Sequence, residues 1–226
     1  MTSRGENFEP IAKPSRHLVL KWTGAASVAL FGNVLPNFGI SEVLAADLGH
    51  GDIGILNYAY ALEQLEAAFY TEVVSNPYRG MSAHEKTILN DIRSHEVAHR
   101  QFLKKALGAK AIPGLSVDFS AVSFASRSSV LNTAKTFEDL GVSAYNGAGR
   151  LLQNGDYLLV AGKIVSVEAR HAATIHDMLR PNSTAFSGSD VVGKNGLDVA
   201  RAPGAVLKAA GPFIKTKVTA MHLAGA

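Results

Sequence analysis

Four long stretches of the chain repeat apolar residues at helical spacing, and residues that start or stop helices bound each one. In the first, Leu56, Ala59, Tyr60, Glu63, Ala67 and Tyr70 share one stripe of a helix expected from Ile53 to Val74, with Asp52 as its cap. Ser75-Asn76-Pro77-Tyr78-Arg79-Gly80 is a turn. Ser82 and Glu85 form a capping box for the second helix, which Gly108 stops after Leu107. Ala109 to Phe124 contains Pro113-Gly114 and has no clear period, so it reads as a long crossover. The third helix is expected from Ser126 to Leu152 despite Gly141, Gly147 and Gly149. Each glycine costs about 1 kcal/mol against alanine inside a helix, so the cluster implies close backbone packing or a kink. Asn154-Gly155 turns the chain, and the fourth helix spans Asp156 to Leu179 before Pro181 closes it.

Beyond that point the pattern changes. Residues 182–196 are rich in Asn, Ser, Thr, Gly and Asp and read as a loop, followed by a short helix from Gly204 to Ala210. The tail from Phe213 to Leu223 alternates, and it is expected to lie extended over the helices. The fold class is therefore all-α, with a bundle over residues 50–180 and an extension over residues 181–226.

The N-terminal residues 1–46 have a different grammar. Ser15-Arg16-His17-Leu18-Val19-Leu20-Lys21 precedes a short, glycine-containing apolar run from Trp22 to Asn33, too short to span a membrane. The segment resembles a twin-arginine export signal, Ser-Arg-Arg-x-Phe-Leu-Lys, with His17 in place of the second arginine and Val19 in place of the phenylalanine. Val43-Leu44-Ala45 or Ala45-Ala46 offers a cleavage site. Two readings stand: an exported, periplasmic protein, or a cytoplasmic one whose N-terminal arm is retained.

Composition narrows the function. At 226 residues, 47% hydrophobic and 18% charged, the chain has enough apolar residues for one substantial core. The net charge is +3; without the four basic and three acidic residues of positions 1–46 it is +2. So small an excess, with no basic run interleaved with aromatics, argues against nucleic-acid binding. The absence of cysteine removes disulfides, thiolate zinc sites and iron–sulfur clusters, leaving nitrogen and oxygen as the metal donors. No phosphate loop, dinucleotide fingerprint or nucleophile elbow is present in its required strand and helix context.

What remains is a repeat of acidic and histidine residues. Ser94-His95-Glu96-Val97-Ala98-His99 recurs as Ser166-Val167-Glu168-Ala169-Arg170-His171. Residues three apart share a helix face, so each Glu-x-x-His aims a carboxylate and an imidazole at one point. Upstream, Glu63 and Tyr70 match Glu138 and Tyr145, with both pairs seven residues apart. The copies are offset by 75 residues at the first glutamate and 72 at the second, so the bundle reads as a duplicated helix pair.

Tyr70 and Tyr145 lie on the same faces as their glutamates and need hydrogen-bond partners, either a carboxylate of a facing helix or another core group. Glu66 is one turn beyond Glu63 but aligns with Gly141, so the repeat favours Glu63 in the main set and puts Glu66 beside the site or as a ligand to a third ion; the alternative is that Glu66 replaces Glu63 as ligand. His95 faces about 100° away from Glu96, which suits a surface or interhelical role. His84, His176 and His222 lack a partner motif.

The order Glu, Glu-x-x-His, Glu, Glu-x-x-His resembles the ferritin-like superfamily. Leu56-Asn57, Leu62-Glu63, Glu66, Phe69-Tyr70, Val167-Glu168-Ala169-Arg170-His171 and Gly196-Leu197-Asp198 are similar, more narrowly, to bacterial ferritin-like domain proteins related to plant desiccation-related proteins. The resemblance implies an up-down-down-up four-helix bundle with a long crossover. It also implies a metal-binding set of Glu63, Glu96, His99, Glu138, Glu168 and His171, with Glu96 and Glu168 bridging.

Four carboxylates balance the charge of two divalent ions, and two imidazoles suit iron or manganese better than calcium. Outward-pointing carboxylates would need no metal. The expected function is redox chemistry with oxygen or peroxide in stress protection; the alternative is a non-catalytic stress or desiccation protein that sequesters metal or binds a partner. A monomer or dimer is expected rather than a cage.

Overall fold

The computed structural model describes residues 45–223 and Gly225; the expected export signal, and with it the localisation, lies outside the described residues except for Ala45 and Ala46. Four long helices dominate: α1 (Gly51–Ser75), α2 (Ala83–Leu107), α3 (Arg127–Gly149) and α4 (Gly155–Leu179). A short helix α5 (Pro203–Ala210), a two-stranded parallel ribbon, β1 (Ala46–Asp47) with β2 (Val218–Thr219), and 3-10 turns at Gly108–Lys110, Ala185–Ser187 and Gly211–Phe213 make up the rest of the regular structure among the described residues. No helix among the described residues is long and apolar enough to cross a membrane.

Local chemistry sets most helix boundaries. Ser82 and Glu85 make the reciprocal capping box that starts α2, while Ser126 and Asn154 accept backbone N–H groups at the starts of α3 and α4. Asp52 does not cap α1, which begins at Gly51 behind His50, two residues before the expected Ile53. Its carboxylate instead accepts the backbone N–H groups of Gln153 (2.8 Å) and Asn154 (2.9 Å), tying α1 to the entry of α4. The third helix stops at Gly149 instead of Leu152, because Leu151 and Leu152 turn back with hydrogen bonds to Ala148 and Gly149.

Helix directions follow from four side-chain contacts. Tyr70 meets Glu138 and Tyr145 meets Glu63, so α1 and α3 run antiparallel. His99 meets Glu168 and His171 meets Glu96, so α2 and α4 run antiparallel as well. With a short turn inside each pair, the order is up-down-down-up. The chain must then travel the length of the bundle between α2 and α3. A 25-residue helix is about 37 Å long, a span that residues 108–126 cover easily at about 3.3 Å each.

This crossover also explains why α1 is buried on nearly all sides from Gly54 to Ala67, rather than along a single stripe. Asn57 donates to Leu48 O and Lys110 O and accepts from the Ile112 N–H. About two turns further on, Gln64 donates to Pro113 O and accepts from the Leu115 N–H. These two amides hold the crossover over the outer face of α1. The extension covers α3: Arg201 N–H donates to Ser143 O (2.9 Å), and a Cβ on Gly147 would sit 1.8 Å from Arg201 O. Glycine at 147 is what allows the two backbones to touch.

Candidate metal centre

Glu63 comes from α1, Glu96 and His99 from α2, Glu138 from α3, and Glu168 and His171 from α4. All four carboxylates are 0% exposed, His171 is 4% exposed, and the His99 side chain keeps 13%. Helical periodicity puts each Glu-x-x-His on an inward face, and the antiparallel pairing of α2 with α4 brings the two motifs head to tail. The structure thus brings all six sequence-predicted residues together.

Their donor atoms form two clusters: Glu63, Glu96, His99 and Glu168 in one, and Glu96, Glu138, Glu168 and His171 in the other. Within each, one atom per residue lies within 4.8 Å of the others. Atoms sharing a first-row ion at bonds of about 2.0–2.2 Å lie at most about 4.4 Å apart, so each cluster is close to the size of a coordination sphere. Glu96 and Glu168 belong to both. Glu96 turns Oε1 to His171 Nδ1 (2.8 Å) and Oε2 to His99 Nδ1 (3.7 Å). Glu168 turns Oε1 to His99 Nδ1 (3.0 Å) and Oε2 to His171 Nδ1 (3.9 Å). Glu63 Oε2 reaches only His99 (3.4 Å), and among the outer carboxylates Glu138 Oε2 alone reaches His171 (3.4 Å).

These approaches are short without having hydrogen-bond geometry. Both Nδ1 atoms, both oxygens of Glu96 and Glu168, and Oε2 of Glu63 and Glu138 are buried and lack hydrogen-bond partners. An unpaired buried polar atom costs about 1–3 kcal/mol, and eight of them converge here. That is the donor set two cations would satisfy, so the residues fit a metal pair.

The charges also distort one another's protonation. Burial pushes Glu63 up to about 7 against the pull of His99. Glu138 is raised by burial, which outweighs His171, and Glu168 is driven well above the usual carboxylate range by burial and the Glu96 and Glu63 charges. Glu96 is the exception. Burial opposes its ionisation, but His171 and His99 outweigh it and hold the group down to about 2. The imidazoles move the other way: burial alone would lower them, yet the carboxylates lift His99 to about 12 and His171 to about 10.

Around this core stand the two tyrosines. The Tyr145 hydroxyl donates to Glu63 Oε1 (2.5 Å) and the Tyr70 hydroxyl to Glu138 Oε1, each reaching across from α3 to α1 or back. Burial, and then the facing carboxylate, push both phenols well above their ordinary range, so they remain donors. Their bonds occupy Oε1 and leave Oε2 of each glutamate facing an imidazole.

Glu66 is 3% exposed but joins neither cluster. Its Oε1 lies 3.1 Å, and Glu168 Oε2 3.3 Å, from where a Cβ on Gly141 would stand. The aligned pair Glu66 and Gly141 are thus neighbours across the bundle: the missing side chain makes room for the extra carboxylate. Burial, followed by the Glu168 and Glu96 charges, lifts Glu66 well above the usual range.

The periodicity alone did not reveal the partner of His171. His95 Nδ1 lies 2.9 Å from His171 Nε2 across the α2–α4 interface. The available signal was a break in the repeat, where Val167 stands opposite His95. His176 is a structural tie, its Nδ1 2.8 Å from Ala185 O and its Nε2 2.8 Å from Asp139 Oδ1; His84 and His222 are exposed.

The family model for the ferritin-like domain matches residues 51–181, more than half of the chain and the whole four-helix region. No curated protein matches it. With the helix order, the antiparallel pairing and the buried carboxylate and imidazole clusters, this match establishes that the chain belongs to the ferritin-like domain family.

Proposed function

We propose that the protein holds two divalent ions, iron or manganese, on Glu63, Glu96, His99, Glu138, Glu168 and His171, and that it uses them in redox chemistry with oxygen or peroxide as stress protection. The observation that carries this reading is the convergence of eight buried donor atoms without hydrogen-bond partners. Once bound, such ions would supply reversible one-electron changes.

The chain's own groups do the rest. Glu96 and Glu168, each with one oxygen in reach of each imidazole, would contribute to both positions. Glu63 and Glu138 close the outer sides, each held in orientation by a tyrosine hydroxyl. Four carboxylates against two divalent ions give a neutral buried site, and a fifth charge would spoil that balance. In the metal-free site, burial and the neighbouring carboxylates favour the protonated form of Glu66.

Two measurements test the reading. Elemental analysis of the native protein should find two iron or manganese ions per chain. Metal-free protein given iron(II) and air should consume oxygen faster than buffer, and the double variant Glu96→Ala, Glu168→Ala should not. Metal loading without oxygen consumption would leave sequestration as the function, and no loading would remove the proposal. Export belongs to the same proposal; mass spectrometry of protein recovered from the cell envelope reads whether residues 1–46 are cleaved.

A further inference from the structure

We infer that His95 is a positioning residue for one of the two metal positions, and that it makes them unequal. The inference rests on the metal reading above. The His95 and His171 rings lie within 3° of parallel with centroids 5.1 Å apart, while the facing nitrogens are 2.9 Å apart. The centroid separation exceeds the nitrogen separation by only the two ring radii. The rings therefore meet edge to edge in one plane, not face to face, and the N–H of one points along the lone pair of the other.

The donor follows from the other side of His171. Its Nδ1 faces the Glu96 and Glu138 oxygens, where a cation would take its lone pair. A neutral imidazole bound through Nδ1 carries its proton on Nε2, so His171 Nε2–H donates to His95 Nδ1. His95, an exposed residue of α2, then carries its own proton on Nε2. Such an acceptor fixes the ligand's tautomer and ring plane and raises its basicity.

The second position has no such arrangement. In the repeat His99 corresponds to His171, and the residue corresponding to His95 is Val167, which has no polar side-chain atom. Among the described residues His99 Nε2 has no side-chain hydrogen-bond partner. The ion held by His171, Glu138 and the bridging pair should bind first and tighter.

The test is a cobalt(II) titration of the metal-free protein, followed by visible absorption and calorimetry, on the wild type, His95→Leu and His95→Asn. Wild type should fill in two steps. His95→Leu should weaken one step by about 10–100-fold and leave the other unchanged. His95→Asn, whose side-chain oxygen can stand where Nδ1 stood, should restore that step. Identical isotherms for wild type and His95→Leu would overturn the inference alone, as would equal weakening of both steps or failure of His95→Asn to rescue. A wild type that takes up no cobalt would remove the metal reading and this inference with it.

Discussion

At the scale of single residues, the centre depends on pairs in which one side chain finishes what another begins. Tyr145 and Glu63 are one such pair, both buried. Replacing Tyr145 with Phe leaves Glu63 Oε1 without its donor, so metal-free Tyr145→Phe should lose about 1–3 kcal/mol in urea denaturation. Gly141 and Glu66 are another. A Cβ at 141 would press on Glu66 Oε1 at 3.1 Å and Glu168 Oε2 at 3.3 Å, both ends of flexible side chains. Gly141→Ala gains about 1 kcal/mol of helix propensity, which offsets the cost of moving them. The metal-free melting temperature should hold while metal affinity falls, because Glu168 is displaced from the position it shares between the clusters; thermal melts and metal titration together check this.

At the scale of elements, each half of the duplicated pair supplies what the other lacks. The antiparallel settings of α1 against α3 and α2 against α4 turn the repeat into a pseudo-twofold arrangement, in which every ligand faces its counterpart's partner. The C-terminal extension is fastened to this frame at Gly147 and at His176, which joins Asp139 of α3 to Ala185 O. At Gly147 the obstruction is backbone, 1.8 Å from the position of an added Cβ, and backbone cannot rotate aside as a carboxylate can. Gly147→Ala should therefore cost about 1–3 kcal/mol and expose the segment around Arg201, seen as faster amide exchange there, while α2 and α4 stay protected.

For the whole molecule, the buried charges link stability, metal and pH. In the metal-free protein His99 and His171 have folded pKa values above their ordinary 6.5, so their stabilisation is complete below that value and is lost as pH rises toward about 10 to 12. Glu63, raised from 4.5 to about 7, disfavours the fold increasingly as pH climbs through that interval. Glu96, lowered to about 2, stabilises above its ordinary 4.5 and loses this as pH falls toward about 2. The metal-free site should thus favour folding most near pH 4.5 and least in alkali. Ions require the deprotonated donors, so the gap in melting temperature between metal-loaded and metal-free protein should widen between about pH 5 and 8. A gap that stays constant across that range would contradict the protonation pattern.

The sequence by itself determined the helices and the inward set. Period, caps and breakers act within a few residues, so they are written locally: Ser82 with Glu85, Gly108, and the three-residue step from Glu96 to His99 and from Glu168 to His171 needed no knowledge of the fold. Tertiary structure alone decided which groups meet across helices. The spacing of Tyr70 and Tyr145 put them on the right faces, but the direction of α3 chose Glu138 and Glu63 as their partners. Asp52 tied α1 to the residues before α4, Gly141 became the seat of Glu66, and His95 found His171, because each contact joins residues far apart in the chain whose meeting depends on packing.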